Sequence, residues 1–486
     1  MDWDILSVIN YEAIANVSVW IWTLLAYVLG MLVALDAIWN GRTSQGSAAW
    51  VTALVLMPFV TIPLYLIFGN RRFHGYKLAR RSSIDETRKI VEQSLYTQLS
   101  EEQKSLYAPL ETLSRSHLTT DNQVSLLIDA DNTYREMLEA IDAAESYILF
   151  QFYIVRDDDT GELFKKALIK KALEGVKVYF IYDEIGSSGI NRFFSNYLKG
   201  LRKAGIHATR FNSIRFRNRL QLNFRNHRKQ LIVDGHTCFI GGTNIGNEYL
   251  GLDPSIGAWR DCHVKIQGPA TFTALRTFFE DWYWATKNLP AINWQSHNKT
   301  SDKNLSDTSA DVLILPSGPA DHQETMSLAF IQCIMEAKSE LLIATPYFVP
   351  DYKVTTALKL AALKGVKITI LLPKDNDNWM IPIASHSFIE ELNSDNIKFY
   401  EYTEGFMHQK VMLIDNQFAM IGSANMDNRS MRINFELNAI IEQESFMQEA
   451  KKQFNKDLEI STPYQAPEWF LTRLAAKTVR LISPIL

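Results

Sequence analysis

Residues 226–244 read NHRKQLIVDGHTCFIGGTN, and residues 407–425 read MHQKVMLIDNQFAMIGSAN. Both contain His-x-Lys-x(4)-Asp: His227, Lys229 and Asp234 in the first, His408, Lys410 and Asp415 in the second. Each continues into a Gly-small-x-Asn turn, Gly241-Gly242-x-Asn244 and Gly422-Ser423-x-Asn425. On a strand, residues two apart project from the same face, so each His and its Lys point together and the Asp, at an odd offset from the Lys, points away. Asp234-Gly235 and Asp415-Asn416 have the chemistry of tight hairpin turns. The pattern predicts both His-Lys pairs in a site, with the two Asp residues orienting backbone beneath it. Gly242 and Ser423 are small enough for backbone to approach a phosphate, and Asn244 and Asn425 are candidate donors to its oxygens.

A lone motif of this kind is ordinary for an edge strand. Two copies in equivalent surroundings point to a shared site. The surroundings do repeat. ALEGVKVYFIYD (172–183) aligns with ALKGVKITILLP (362–373), each the end of a helix, a Gly and a β-branched strand. YILFQFYIV (147–155) and KSELLIATPYFVPD (338–351) read as the strands before those helices. In the first copy Thr160 is the expected N-cap. Strands alternating with helical periods predict an α/β fold of two duplicated domains sharing one active site. Expected boundaries are 121–294 for the first domain and 312–465 for the second. A polar linker is expected over 295–311 and a polar connector over 71–120.

Two imidazoles and two ammonium groups suit a phosphodiester. The lysines stabilise charge on the non-bridging oxygens, one His attacks phosphorus, and the other protonates the leaving alcohol. No metal or other cofactor is expected, because the cations come from the protein and the motifs hold no acidic cluster. The histidines need carboxylates behind their rings. Asp261, in AWRDCHVKIQGP, and Glu436, in MRINFELN, are the candidates, since each follows its own motif at an equivalent place. His236 and His263 lack counterparts in the repeat and read as structural.

The chain has 486 residues, too many for one core, with 47% hydrophobic and 21% charged, which excludes a disordered chain. With 54 acidic against 50 basic residues, it lacks the basic excess of a general nucleic-acid binder. Its 3 cysteines include no CxxC pair, so neither a disulfide framework nor a zinc site is expected. Residues 13–35 and 48–69 are uncharged and each long enough to cross a bilayer, which predicts a two-helix transmembrane hairpin over 1–70. Pro58 and Pro63 would kink the second span or make it re-entrant. Arg71, Arg72, Lys77, Arg80 and Arg81 follow it, against Arg42 alone in the loop, so the soluble part is expected in the cytoplasm.

The paired motifs are similar to those of the phospholipase D superfamily, over most of 121–465. The N-terminal hairpin, SGPAD (317–321), TPYFVPD (345–351) and the terminal RLISPIL narrow the resemblance to bacterial cardiolipin synthases. That resemblance implies condensation of two phosphatidylglycerol molecules into cardiolipin and glycerol. It makes His227 the residue that carries the phosphatidyl group and His408 the acid that protonates departing glycerol. The alternative on the same site is a membrane-bound phospholipase D-type phosphodiesterase, with water as the second nucleophile.

Two further segments suggest lipid contact. Arg210, Arg215, Arg217, Arg219, Arg225 and Arg228 crowd residues 209–229 and are candidates to hold anionic headgroups. The segment 466–486 sets Trp469, Phe470, Leu474 and Leu481 against Arg473, Lys477 and Arg480. It reads as an interfacial helix or as a helix docked on the domain core.

Overall fold

The computed structural model describes residues 4–41, 44–69, 76, 99–190, 195–211, 224–254, 256–292, 309–467 and 469–481. Two compact units divide the chain, the first comprising Met1–His74 with Ile214–Asn223 and the second the remainder. The first holds α1 (Asp4–Asn40), α2 (Ser44–Leu56) and α3 (Pro58–Phe68). Within α1, Val17–Asn40 is a 24-residue stretch long and apolar enough to cross a membrane. The second expected span is not one helix. It breaks at Met57, whose φ of −138° reflects the steric demand of the following proline ring. The break is satisfied internally: the Met57 N–H and the Thr61 hydroxyl both donate to the Ala53 carbonyl, at 2.9 and 3.0 Å. The Asp36 carboxylate accepts from Tyr65 and Asn40, at 2.9 and 2.8 Å.

The second unit is built on one sheet of 15 strands. Ahead of it, α4 (Glu101–Ser114) carries Leu106, Tyr107 and Leu110 into the same apolar core as Leu313, Leu341 and Ile370. This part of the expected connector is core, because its apolar residues recur at helical spacing. The rest lies almost wholly outside the described residues, as does most of the expected linker.

The first half runs β1 (Thr119–Ile128), α5 (Asp129–Asp142), β2 (Tyr147–Phe152), α6 (Asp159–Leu173), β3 (Lys177–Tyr182), α7 (Tyr197–Lys203), β4 (His207–Arg210), β5 (Gln230–Val233), β6 (Thr237–Gly241), β7 (Trp259–Arg260), β8 (Cys262–Gln267) and α8 (Thr271–Thr286). The second runs β9 (Ala310–Ser317), α9 (Thr325–Glu336), β10 (Glu340–Ala344), β11 (Phe348–Val349), α10 (Tyr352–Leu363), β12 (Lys367–Pro373), α11 (Met380–Leu392), β13 (Ile397–Tyr402), β14 (Phe406–Met407), β15 (Val411–Ile414), β16 (Phe418–Gly422), β17 (Met426–Asp427), α12 (Asn428–Arg432), β18 (Glu436–Glu442), α13 (Glu444–Glu459) and β19 (Ser461–Pro463). A last helix, α14 (Phe470–Arg480), follows.

The duplication is visible in the sheet order. From a central antiparallel seam between β1 and β9, one side reads β1-β8-β6-β5-β2-β3-β4 and the other β9-β18-β16-β15-β10-β12-β13, with β19 at the far edge. Each half therefore covers its own core, one formed around Phe150, Phe164 and Phe180, the other around Phe330, Leu358 and Phe388. The N-cap of α6 is Asp158, whose Oδ1 accepts from Gly161 N at 2.9 Å. Thr160 sits inside the first turn and donates from N and Oγ1 to Asn247, because a carboxylate two residues earlier competes better for the free helix N–H groups.

Candidate active site

The turns after the two motifs are alike. Asp234 and Gly235 have φ of 50° and 72°, Asp415 and Asn416 of 50° and 56°, so both central residues are left-handed as a type I′ hairpin requires. The Asp side chains then reach beneath the neighbouring strand. Asp234 accepts from the N–H groups of Glu145, Ser146 and Tyr147 at 2.7–2.8 Å. Asp415 accepts from Ser339 and Glu340 N–H at 2.8 and 2.7 Å, and from Lys338. Both carboxylates pin the start of the strand next to their own motif.

Lys229 and Lys410 immediately precede β5 and β15, and each His stands two residues earlier, so neither pair lies within its strand. There the chain leaves its own sheet and pairs with the other half. His227 N–H donates to the Phe435 carbonyl at 2.9 Å, and His408 N–H to the Arg260 carbonyl at 2.7 Å. Phe435 and Arg260 immediately precede Glu436 and Asp261. The exchange therefore delivers each carboxylate to the histidine of the opposite half. Glu436 holds His227 Nδ1 at 2.9 Å, and Asp261 holds His408 Nδ1 at 2.7 Å. The repeat located both carboxylates; which ring each one backs follows from this crossed pairing.

Each lysine returns to its own histidine. Lys229 Nζ donates to the His227 carbonyl at 2.7 Å, and Lys410 Nζ to that of His408. All four side chains are buried. Burial pushes His227 down to about 4 despite the opposing pull of Glu436. Burial, then Lys410 and Lys229, hold His408 well below its usual range. Lys410 is lowered by burial to about 8. Burial raises the Glu436 carboxyl, but His227, Lys229 and Ser423 outweigh it and hold the group low. Asp261, by contrast, is pushed up by burial. Burial thus disfavours the charged form of both imidazoles, and the surroundings favour ionisation of Glu436 more than of Asp261.

Gly242, Asn244, Ser423 and Asn425 support these groups from within. A Cβ on Gly242 would lie 2.2 Å from Asp261 Oδ1, so only glycine leaves room for that carboxylate. Its counterpart Ser423 donates to Glu436 Oε2 at 2.5 Å. Asn244 Nδ2 donates to Tyr249 at 2.9 Å while its Oδ1 accepts from Ile154 N–H at 3.1 Å. Asn425 Nδ2 donates to Asp427 at 3.2 Å. In this arrangement Asn244 links Ile154 backbone to Tyr249 and Asn425 bonds the Asp427 carboxylate; the sequence reading makes both amides donors to a phosphate.

Further residues surround the site, and of these Tyr153, Trp259 and Asp377 escaped the sequence reading. Tyr153 stands edge-on to the His227 ring at 5.0 Å, with Lys229 Nζ 5.3 Å from its centroid. Trp259 is edge-on to His408 at 5.1 Å. Tyr347 donates to Asp377 at 2.6 Å, and Asp377 feels the charge of Lys410. His263 is fully buried within electrostatic reach of Asp261, Lys229 and Lys410, and burial lowers it to about 4. Arg228 is not a headgroup ligand. It is buried against Asp281, with both carboxylate oxygens 2.7 Å from Nη1. Tyr76, Gln151 and Asn226 complete the shell of Asp281. Arg210 pairs with Glu184 at 2.7 Å, Arg225 lies 4.0 Å from Asp183, and Arg215, Arg217 and Arg219 fall outside the described residues. A signal for Asp281 existed in the repeat: Phe278-x-x-Asp281 and Phe454-x-x-Asp457 close the two halves.

The twofold skeleton agrees with known proteins. A family model described as cardiolipin synthase, PLD-like domain, matches residues 137–282 and 330–458. The chain is 39% identical over 476 residues to cardiolipin synthase A of Pseudomonas putida (strain GB-1), spanning 95% of this chain and 97% of that one. It is also 39% identical over 473 residues to cardiolipin synthase A of Pseudomonas aeruginosa (strain LESB58), spanning 94% of each. In fold it is similar to phosphatidylserine synthase of Haemophilus influenzae Rd KW20, with a TM-score of 0.58 over 83% of this chain and 100% of that one at 14% identity. The paired motifs, the duplicated sheet and near-full-length similarity lead to one conclusion: the chain belongs to the cardiolipin synthase family of phospholipase D-like phosphatidyltransferases.

Proposed function

We propose that this chain joins two phosphatidylglycerol molecules into cardiolipin and glycerol by two phosphatidyl transfers at the crossed histidine pair. The observation that carries the reading is the exchange of carboxylates between halves, which makes one site from two motifs. Glu436 accepts the Nδ1 proton of His227, fixing the tautomer in which Nε2 keeps its lone pair. His227 Nε2 attacks phosphorus as the bond to the glycerol headgroup oxygen breaks, and protonated His408 delivers its proton to that oxygen. His408, now neutral, accepts the hydroxyl proton of the second phosphatidylglycerol as that oxygen attacks phosphorus and the bond to His227 breaks. Each step is an in-line displacement, and the proton taken up by His408 equals the one it gave.

The acid form of His408 comes with the substrate. Its proton is disfavoured by burial beside two ammonium groups, and a phosphodiester anion between Lys229 and Lys410 offsets that repulsion. The lysines then stabilise the charge that builds on the non-bridging oxygens. The domains follow the two halves of the sheet, with 121–294 and 312–465 as their main extents and Glu101–Ser114 joined to the core. Anchorage by the N-terminal helices is read as multi-pass, with the catalytic unit on the cytoplasmic side because of the basic residues after the second apolar segment. Nucleic acid is not a substrate in this reading, given the near-neutral charge.

The test is turnover of purified full-length protein in detergent micelles containing phosphatidylglycerol as sole phospholipid, with a chelator present, beside His227→Ala and His408→Ala. Cardiolipin and glycerol in equal amounts, lost in both variants, are expected. Phosphatidic acid without cardiolipin would overturn the transfer and leave a hydrolase.

A further inference from the structure

The last helix leaves most of its large apolar residues on its exposed side, which is unusual for a protein surrounded by water. A surface helix normally turns its apolar face to the core and its charges outward. In α14, Ala476 is buried, Arg473 pairs with Glu390, and Arg480 pairs with Glu391 at 2.5 Å and stacks over Phe388 at 4.2 Å. These contacts set Ala476, Val479 and Arg480 against the body, while Arg473 stays 48% exposed and Lys477 is exposed beside it. The opposite face leaves Trp469, Phe470, Leu471, Leu474 and Leu481 exposed by 78%, 74%, 70%, 50% and 79%. After Leu481 the sequence continues Ile-Ser-Pro-Ile-Leu, with no charge.

We infer that α14 is a second membrane-contact surface, on the catalytic unit itself, lying in the plane of an anionic bilayer with its apolar face among the acyl chains. The inference rests on the lipid-transferase reading above. Two observations select a bilayer as the occupant. The apolar ridge is bordered by cations, with Arg473, Lys477, Arg480 and Lys359 gathered around Glu390 and Glu391, four positive against two negative groups. That combination of a tryptophan-headed apolar face with a cationic flank fits an anionic interface. Beneath the helix, between α14 and α11, lies a cavity of about 270 Å³ with walls from Leu372, Ile381, Ile389 and Ala476. It also reaches Pro346, the neighbour of Tyr347. Lys374, His386 and Glu401 also line it, so this hollow under a membrane-facing helix offers a lipid both apolar walls and polar groups.

The native cysteines Cys238, Cys262 and Cys333 are all buried, so Leu471→Cys in the full chain can be labelled selectively with an environment-sensitive fluorophore. In phosphatidylglycerol-containing proteoliposomes, the label at 471 should shift to the blue and be quenched by spin-labelled acyl chains, while one at Glu449→Cys on α13 should not. Equal, water-like emission at both positions would overturn the proposal, as would quenching at both. The double variant Leu471→Asp/Leu474→Asp should raise apparent KM for long-chain phosphatidylglycerol in mixed micelles by roughly tenfold. Its kcat, and its turnover of a short-chain monomeric substrate, should stay unchanged. A fall in short-chain turnover would make α14 a structural element of the fold. The fluorescence readout is independent of product identity, so it stands even if the transfer reaction fails.

Discussion

The two halves of the catalytic unit keep the same path and the same reacting side chains, yet differ at the residues that hold them. Gly242 faces Ser423, Asp261 faces Glu436, and Arg228 faces Gln409 across the pseudo-twofold axis. In the first half a glycine makes room for a short carboxylate. In the second a serine hydroxyl binds a longer one. Arg228 and Asp281 form a buried ion pair beside His227, whereas Gln409 donates to Asp457, whose counter-charge is Arg260 from the other half. Duplication thus preserved the two His-Lys pairs and released what stands behind them. Two histidines of equal chemistry acquired unequal partners, which suits the sequential roles of nucleophile and acid proposed for them.

The largest test of this asymmetry is removal of the rings. His227→Ala should lower cardiolipin synthesis by about 10⁴-fold and abolish any covalent phosphatidyl-enzyme. In His408→Ala, synthesis should fall comparably while rapid quench from labelled phosphatidylglycerol still traps some label on His227. Label on the enzyme in the His227 variant would reverse the two roles.

Next come the carboxylates. Glu436→Gln and Asp261→Asn should each cost roughly 10²–10⁴-fold, as loss of the partner that orients a catalytic imidazole does. Crossed pairing adds a sharper requirement. Steady-state cycles should be strongly non-additive for His227 with Glu436 and for His408 with Asp261, and nearer additive for each histidine with the carboxylate of its own half. Non-additivity within each half instead would break the crossed arrangement.

The supports predict unequal stabilities. Arg228→Met strands Asp281 in the interior and should destabilise the catalytic unit by about 3–5 kcal/mol, read from thermal unfolding in detergent. Gln409→Ala leaves Asp457 paired with Arg260 and should cost about 1 kcal/mol. Gly242→Ala should impair turnover more than Ser423→Ala, because the first displaces Asp261 and the second removes a single hydrogen bond.

The smallest effect is on pH. Lys410, lowered to about 8 by burial, loses its charge as pH rises past that value, so kcat/KM should fall on the alkaline side near there. Lys410→Arg should carry that limb upward even if its maximum is lower. On the acid side, burial holds folded His227 at about 4 against an ordinary 6.5, so the unfolded chain takes up the proton first. Its contribution to stability is complete above 6.5 and is lost as pH falls towards 4.

Much of this protein was legible in the chain. Repeated local patterns announced the duplicated α/β halves, and the Asp-Gly and Asp-Asn turns set the hairpins because backbone geometry is a local property. His227, Lys229, His408 and Lys410 were found because their spacing recurs, and the cardiolipin synthase resemblance followed from the same residues. Pro58 announced an interruption of the second apolar segment, but the sequence could not say that its neighbours satisfy the break, or that α4 belongs to the core. Nor could it distinguish Arg228, buried in an ion pair, from arginines that face solvent. The pairing of Glu436 with His227 and of Asp261 with His408 was decided only by the tertiary structure. A carboxylate's partner depends on which strands meet at the seam between halves, and that meeting joins residues far apart in sequence that carry no local signal of one another.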